Sequence, residues 1–122
     1  MGRFNLKTKF WFMANRYRNA FFDPVSTNTE TIYTTPNDCR SIIQNIQITN
    51  ETGSKVVKVY VYDASANVDY LVAHGSITGP TICNFAKGPI VLEESDVLKA
   101  QSSVTSNVSA IVSILETDRN QQ

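Results

Sequence analysis

The side chains able to do chemistry in this sequence are few and scattered. His74, the sole histidine, lies in "LVAHGS", and nucleophilic catalysis would need it beside an activated serine and an orienting acid. Ser65 and Ser76 are near it in the chain, but neither stands in the strained GxSxG elbow that exposes a nucleophile. His74 is therefore read as a solvated or hydrogen-bonded residue at a strand end, before Gly75. Glu93, Glu94 and Asp96, in "LEESDVL", are the one compact group of acids. A carboxylate pair serves glycoside hydrolysis, and three carboxylates can gather calcium. Their position between two candidate strands favours a polar turn instead. There is no EF-hand spacing, no HExxH and no glycine-rich phosphate loop. Cys39 and Cys83 are too few for a zinc cage and do not form a CxxC pair. They read as two reduced, buried small hydrophobes, or as a disulfide if their strands prove adjacent. Asn50-Glu51-Thr52 and Asn107-Val108-Ser109 match the glycosylation triplet in expected loops; with no secretion signal beside them they are read as chance matches. No catalytic residue, metal site or cofactor is assigned, and the chain is expected not to be an enzyme.

What the sequence does carry is an uneven charge. Residues 1–22 hold Arg3, Lys7, Lys9, Arg16 and Arg18 with no acid, whereas residues 23–122 hold 11 acids against 6 bases. Aromatic residues are interleaved with those cations. Such a segment could meet nucleic acid through phosphates and stacking, or an acidic, partly apolar protein surface. The second is preferred and nucleic acid is not the expected partner. Phe10, Trp11, Phe12, Arg16, Tyr17, Arg18, Phe21 and Phe22 are the candidate partner-binding residues. No apolar run approaches the roughly 20 residues of a membrane span, and the leader lacks the apolar core of a signal peptide, so no membrane partner is expected. Met13 offers an alternative natural start to Met1.

The elements that must position these residues follow from periodicity. At 122 residues the chain has the size of one compact domain. Hydrophobic residues make up 42% and charged residues 18%, a weakly charged surface of the kind that suits contact with other subunits. Residues 1–28 show neither a helical stripe nor strict alternation, and Pro24 turns Asp23 away from helix. They are read as a basic aromatic N-terminal arm joined to a body at 29–118, with a short tail at 119–122; removing residues 1–22 should then leave the body folded. From residue 30 onward the period is two. Candidate strands occupy 30–35, 40–49, 55–64, 68–75, 80–86, 89–94, 97–103 and 108–117, with Gly, Pro, Asn or Ser between them. In 40–49 strict alternation puts Ile42, Ile46 and Ile48 on one face; in 55–64 it puts Val57, Val59 and Val61 inward. This is an all-β pattern, an antiparallel β-sandwich of jelly-roll type with seven to eight short strands and an extended N-terminal arm. Lys55 and Lys58 read as guards of an open sheet edge, and "STNTETIY" as a segment able to add a strand to a neighbour. Tyr60, Tyr62 and Tyr70 form a possible exposed aromatic face, which would suit a carbohydrate or receptor-binding module.

Several segments taken in order, "MANRYRNAFFDP", "TIYTTPNDCRSIIQNIQITNETGSKVVKVYVYD", "YLVAHGSI", "GPIVLEESDVLKAQSS" and "NVSAIVSILE", resemble a family of small structural proteins of tailed bacteriophages with cyanophage-like genomes. The resemblance spans residues 13–116, and this chain has Ser95 where the family pattern usually has glycine. It implies a virion protein with a β-sandwich body, assembled in the host cytoplasm. The expected partners are other virion proteins, either the major capsid protein or portal, neck and tail proteins, together with further copies of the chain in a homo-oligomer. A capsid decoration or cement role is preferred, with a neck, tail or fibre-attachment component as the alternative.

Overall fold

The computed structural model describes residues 15–118, which form nine strands. They are β1 (Arg16–Phe22), β2 (Glu30–Thr34), β3 (Cys39–Asn50), β4 (Ser54–Asp63), β5 (Val68–Thr78), β6 (Thr81–Asn84), β7 (Ile90–Leu92), β8 (Val97–Ser102) and β9 (Val108–Asp118). Two antiparallel sheets result. The first has the order β1-β9-β3-β6, with β7 also paired to β3, and the second has the order β2-β8-β4-β5. The chain runs outward through β1 to β4 and returns so that each outgoing strand pairs with a returning one: β1 with β9, β2 with β8, β3 with β6 and β7, β4 with β5. Successive pairs alternate between the sheets. A long antiparallel ribbon rolled in this way is a jelly roll, which buries two apolar faces against each other while making few edges.

Eight of the strands lie where alternation puts them, and the ninth, β1, comes from the segment assigned to the arm. The boundary at residue 28 is thus crossed by a continuous hydrogen-bonded ladder from β1 to β9. Strand β3 departs from strict alternation. Its pairing with β9 slips between Ile43 and Asn45, a bulge that turns Ile43 inward beside Ile46 and Ile48 and leaves Ile42 half-buried on the outer face. The core lies between the sheets, where Ile43, Ile46, Val57, Val59, Leu92 and Val112 are fully enclosed; each such side chain stabilises the fold by roughly 1.5 to 3 kcal/mol.

The lysines do not guard an edge, because β4 is flanked by β8 and β5. Lys55 is instead buried. Its Nζ donates to Asn50 Oδ1 at 2.7 Å and to the Thr52 carbonyl, while Asn50 Nδ2 donates to the carbonyls of Gly53 and Ile77 at 2.8 and 2.9 Å. This network closes the β3–β4 hairpin, where Gly53 takes the positive φ (72°) that the turn requires. Asn50 has no exposed surface, so the first glycosylation triplet is closed to modification in the folded protein. The segment 30–34 pairs with its own β8 and forms the edge of the second sheet. Ser95 takes φ 70°, so the turn keeps the left-handed conformation that glycine would adopt most readily. Gly79 lies hard against the β3–β4 hairpin: a Cβ there would come within 2.7 Å of the Glu51 and Thr52 backbone. Because backbone cannot swing aside, Gly79→Ala is expected to lower stability by about 1 to 3 kcal/mol, read as a fall in the urea midpoint at constant slope.

Candidate assembly surface

Strand β1 is the edge of the first sheet, and its two faces are differently used. Phe22 enters the core at 2% exposure, whereas Tyr17 and Phe21 stand on the outer face, 80% and 64% exposed. At the other end of the strand the inward positions are Arg16 and Arg18, which meet Glu116 of β9. Glu116 is 1% exposed. Its Oε1 accepts from Arg16 Nη2 at 3.2 Å, Arg16 Nε at 3.3 Å and Arg18 Nε at 3.0 Å, and its Oε2 accepts from the Tyr33 hydroxyl at 2.5 Å. Since the Tyr33 proton is directed at the carboxylate, Ser41 Oγ, 2.6 Å from the Tyr33 oxygen, is the donor in that pair. One carboxylate therefore ties β1 to β9 and, through Tyr33, to β2 of the other sheet.

The electrostatics follow from this enclosure. Burial pushes the Glu116 carboxyl upward, but the Tyr33 hydrogen bond and the Arg16 and Arg18 guanidinium groups outweigh it and hold it below its ordinary value. The hydrogen bond to Glu116 raises Arg16 in turn. Burial, reinforced by Glu116, holds the Tyr33 hydroxyl protonated well above the usual tyrosine range. Cys39, whose Sγ lies 3.7 Å from Arg16 Nη2, is pushed up chiefly by burial. A thiol so placed stays protonated and unreactive.

Of the candidate partner-binding residues, Phe10, Trp11 and Phe12 lie outside the described residues. Tyr17 and Phe21 are presented outward, Phe22 is a core residue, and Arg16 and Arg18 are half-exposed but engaged with Glu116. Sequence reasoning missed that engagement. The available signal was an acid on the buried face of β9: Val108, Ala110, Val112, Ile114 and Glu116 form one alternating series, and an inward carboxylate calls for cations or hydrogen-bond donors from neighbouring strands.

Tyr60, Tyr62 and Tyr70 do not form one patch. Tyr60 and Tyr62 point outward from β4, where the Lys99 ammonium lies 4.7 Å from the Tyr62 ring centre and 3.1 Å from Asp69. Tyr70 pairs with Val61 and so belongs to the opposite side of the sheet. Of the other polar candidates, the acids near residue 95 and Ser65 serve turns. Asp96 accepts backbone N–H groups from Glu93 (2.9 Å) and Ala64 (3.0 Å), and Glu94 accepts that of Asp38 at 3.1 Å. His74 is exposed in mid-strand opposite Lys58 rather than at a strand end, and Ser65 bonds Asp63 in a turn. Cys39 and Cys83 lie on the neighbouring strands β3 and β6, but Cys83 is opposite Ile48, about 30 Å along β3 from Cys39 at the usual rise per residue. They cannot bridge within the chain, and both thiols are free. Among the described residues no group of three His, Cys, Asp or Glu side chains could hold a metal ion, and no helix is long and apolar enough to cross a membrane.

No protein-family model and no curated protein matches the sequence. The fold is similar to that of solved structures. A chain of the T13 IBDV viral particle aligns with TM-score 0.54 and 12% identity, covering 84% of this chain and 31% of that one, so the present chain spans about a third of its length. A chain of the acid-stable capsid of Helicobacter pylori bacteriophage KHP30 aligns with TM-score 0.54 and 12% identity over 88% of this chain and 90% of that one. A subunit of the Bacillus endospore appendages, a family of disulfide-linked pili, aligns with TM-score 0.53 and 9% identity over 86% and 88% of the two chains.

Proposed function

We propose that this protein is a structural component of a virion that binds and stabilises other virion subunits, and specifically that it is a decoration or cement protein of a tailed-phage capsid. The observation that carries the reading is the edge strand β1. It is pinned to the body by Phe22 and the Glu116 cluster, and it turns Tyr17 and Phe21 into solvent on a sheet that ends there. Exposed aromatic side chains held on a rigid edge are the usual anchors of a protein interface. Three further points support it: the jelly-roll order, an architecture frequent in capsid domains; the similarity in fold to the KHP30 capsid chain along most of both lengths; and the motif order shared with small tailed-phage structural proteins. A basic leader ahead of β1, with Phe10, Trp11 and Phe12, adds a second binding element that could lie across a seam between capsid subunits. A carbohydrate-binding role is less well supported, because the three tyrosines it would use are split between two sides of a sheet.

The test is the position of the chain in purified particles. Density for the jelly roll repeating over the shell lattice is the expected outcome. Density confined to the portal and tail axis would make it a neck or tail component and overturn the cement assignment. Absence from the particle would overturn the virion reading altogether.

A further inference from the structure

The two sheets part along one side of the sandwich. Strands β5 and β6 follow each other across Gly79-Pro80, yet β5 ends the second sheet, β6 lies at the edge of the first, and no ladder joins them. The inward residues of β5 at this place are Ala73 and Gly75, opposite the core residues Val59 and Val57, and both are too small to close the gap. Phe85 fills part of it, with its ring 3.5 Å from where a Gly75 Cβ would stand. What is left is a cleft of about 560 Å³ between β5 and residues 83–90, a size ordinary for a small-molecule site. Val72, Ala73, Phe85, Pro89 and Ile90 make its apolar wall, and Ala73, Phe85 and Ile90 pack on the core behind it.

No carboxylate belongs to this cleft. Its lining comes wholly from residues 72–90 and carries Lys87, the His74 imidazole and the Cys83 thiol. Residues 70–92 contain no acid at all, in a body where residues 23–122 hold 11 acids against 6 bases. The facing strands add none, since Lys58 stands opposite His74, Ile48 opposite Cys83 and Ile43 opposite Ile90. Along β5 the nearest acid is Asp69, about 10 Å from Val72 at the usual rise per residue and already 3.1 Å from the Lys99 ammonium. Among the described residues no acid pairs with Lys87 or His74. An apolar cleft whose rim offers an ammonium and an imidazole, with no acid to neutralise them, fits a ligand with a hydrocarbon body and an anionic head.

We propose that this cleft is a binding site for an apolar monocarboxylate, with the hydrocarbon chain against Phe85, Pro89 and Ile90 and the carboxylate at Lys87 and His74. The site lies at β5, apart from the β1 edge, and goes beyond the assembly reading without resting on it. Two features rank its ligands. Each methylene that enters the cleft tightens binding by about fourfold, and a cationic head is repelled by Lys87.

Octanoate, octylammonium and acetate are the probes, each titrated at neutral pH into the ¹⁵N-labelled full-length chain. Octanoate is expected to shift the amide signals of residues 72–74 and 83–90 and to slow alkylation of Cys83 by iodoacetamide; Cys39 is buried and does not compete for the reagent. Octylammonium should bind about fivefold more weakly for want of the charge, and acetate more than about tenfold more weakly for want of the apolar body. Lys87→Glu, an exposed change that should leave the melting transition in place, is expected to weaken octanoate about fivefold or more and to reverse the preference in favour of octylammonium. Octanoate shifts confined to other parts of the surface, or no saturable binding, would overturn the site. Acetate binding as tightly as octanoate would overturn the apolar half of the assignment. Equal affinities for octanoate and octylammonium, or a preference that survives Lys87→Glu, would overturn the carboxylate half.

Discussion

Removal of residues 1–22 is expected to unfold the protein, whereas removal of residues 1–14 leaves its melting transition where it was. This reverses what the charge pattern suggests, namely that the whole basic segment is dispensable to the body. The longer deletion takes all seven residues of β1 and its ladder with β9. It removes Phe22 from the core, where a Phe→Ala truncation alone costs about 3 to 5 kcal/mol. It also leaves Glu116 buried without its two guanidinium partners. These losses share neighbours and do not simply add, but together they rival the roughly 5 to 15 kcal/mol that holds a domain of this size. The shorter deletion stops ahead of Arg16 and leaves the β1–β9 ladder whole. Far-UV circular dichroism through a urea titration distinguishes the two. An unchanged midpoint for the 1–22 deletion would mean that β1 contributes nothing to the fold.

Glu116→Ala is expected to be among the most damaging single substitutions, destabilising the protein by about 2 to 4 kcal/mol. Breaking one side of a buried ion pair costs about 3 to 5 kcal/mol; the lower figure applies here because Arg16 and Arg18 are about half exposed and water screens them once Glu116 is gone. Tyr33 and Ser41 lie deeper and keep an unsatisfied hydroxyl. Glu116→Gln retains the shape and an acceptor for the Tyr33 hydroxyl but not the charge, so it should fall between wild type and alanine. The same cluster fixes a pH dependence. The folded carboxyl lies below its ordinary value of 4.5, so the unfolded chain takes up the proton first. The stabilisation is complete above the unfolded value and is lost as the pH falls through the folded one. Wild-type stability should therefore drop below about pH 4.5, with a smaller drop in Glu116→Gln, whose side chain does not titrate. Urea midpoints at neutral pH and at successively lower pH read this directly. Equal slopes in the two proteins would show that another group governs the acid transition.

How much of this was legible in the sequence varies from element to element. Strands β2 to β9 announce themselves because one face of each meets the core and the other meets water, and that contrast is written locally as alternation, as in the Val57, Val59, Val61 series of β4. The turn at Glu93–Asp96 is equally local, since Asp96 is a short acceptor that can satisfy nearby backbone N–H groups. Strand β1 was hidden because half of its inward positions are arginines. In "RYRNAFF" the apolar–polar code fails where the inward neighbour is the Glu116 carboxylate and not a hydrocarbon. The three tyrosines failed differently. A register shift between Val59 and Tyr60 puts Tyr70 on the other side of the sheet from Tyr60 and Tyr62.

By itself, then, the sequence determined the period-two strands and their antiparallel sandwich, both of which depend on residues close together in the chain. Tertiary structure alone decided that Arg16 and Arg18 face Glu116, that Cys39 and Cys83 lie at distant points on adjacent strands, and that Val72, His74, Phe85 and Lys87 line one cleft. Those outcomes depend on which strands pair and in what register. That choice is made by cooperative burial of the two sheet faces and by bulges such as the one in β3, so no local stretch of residues encodes it.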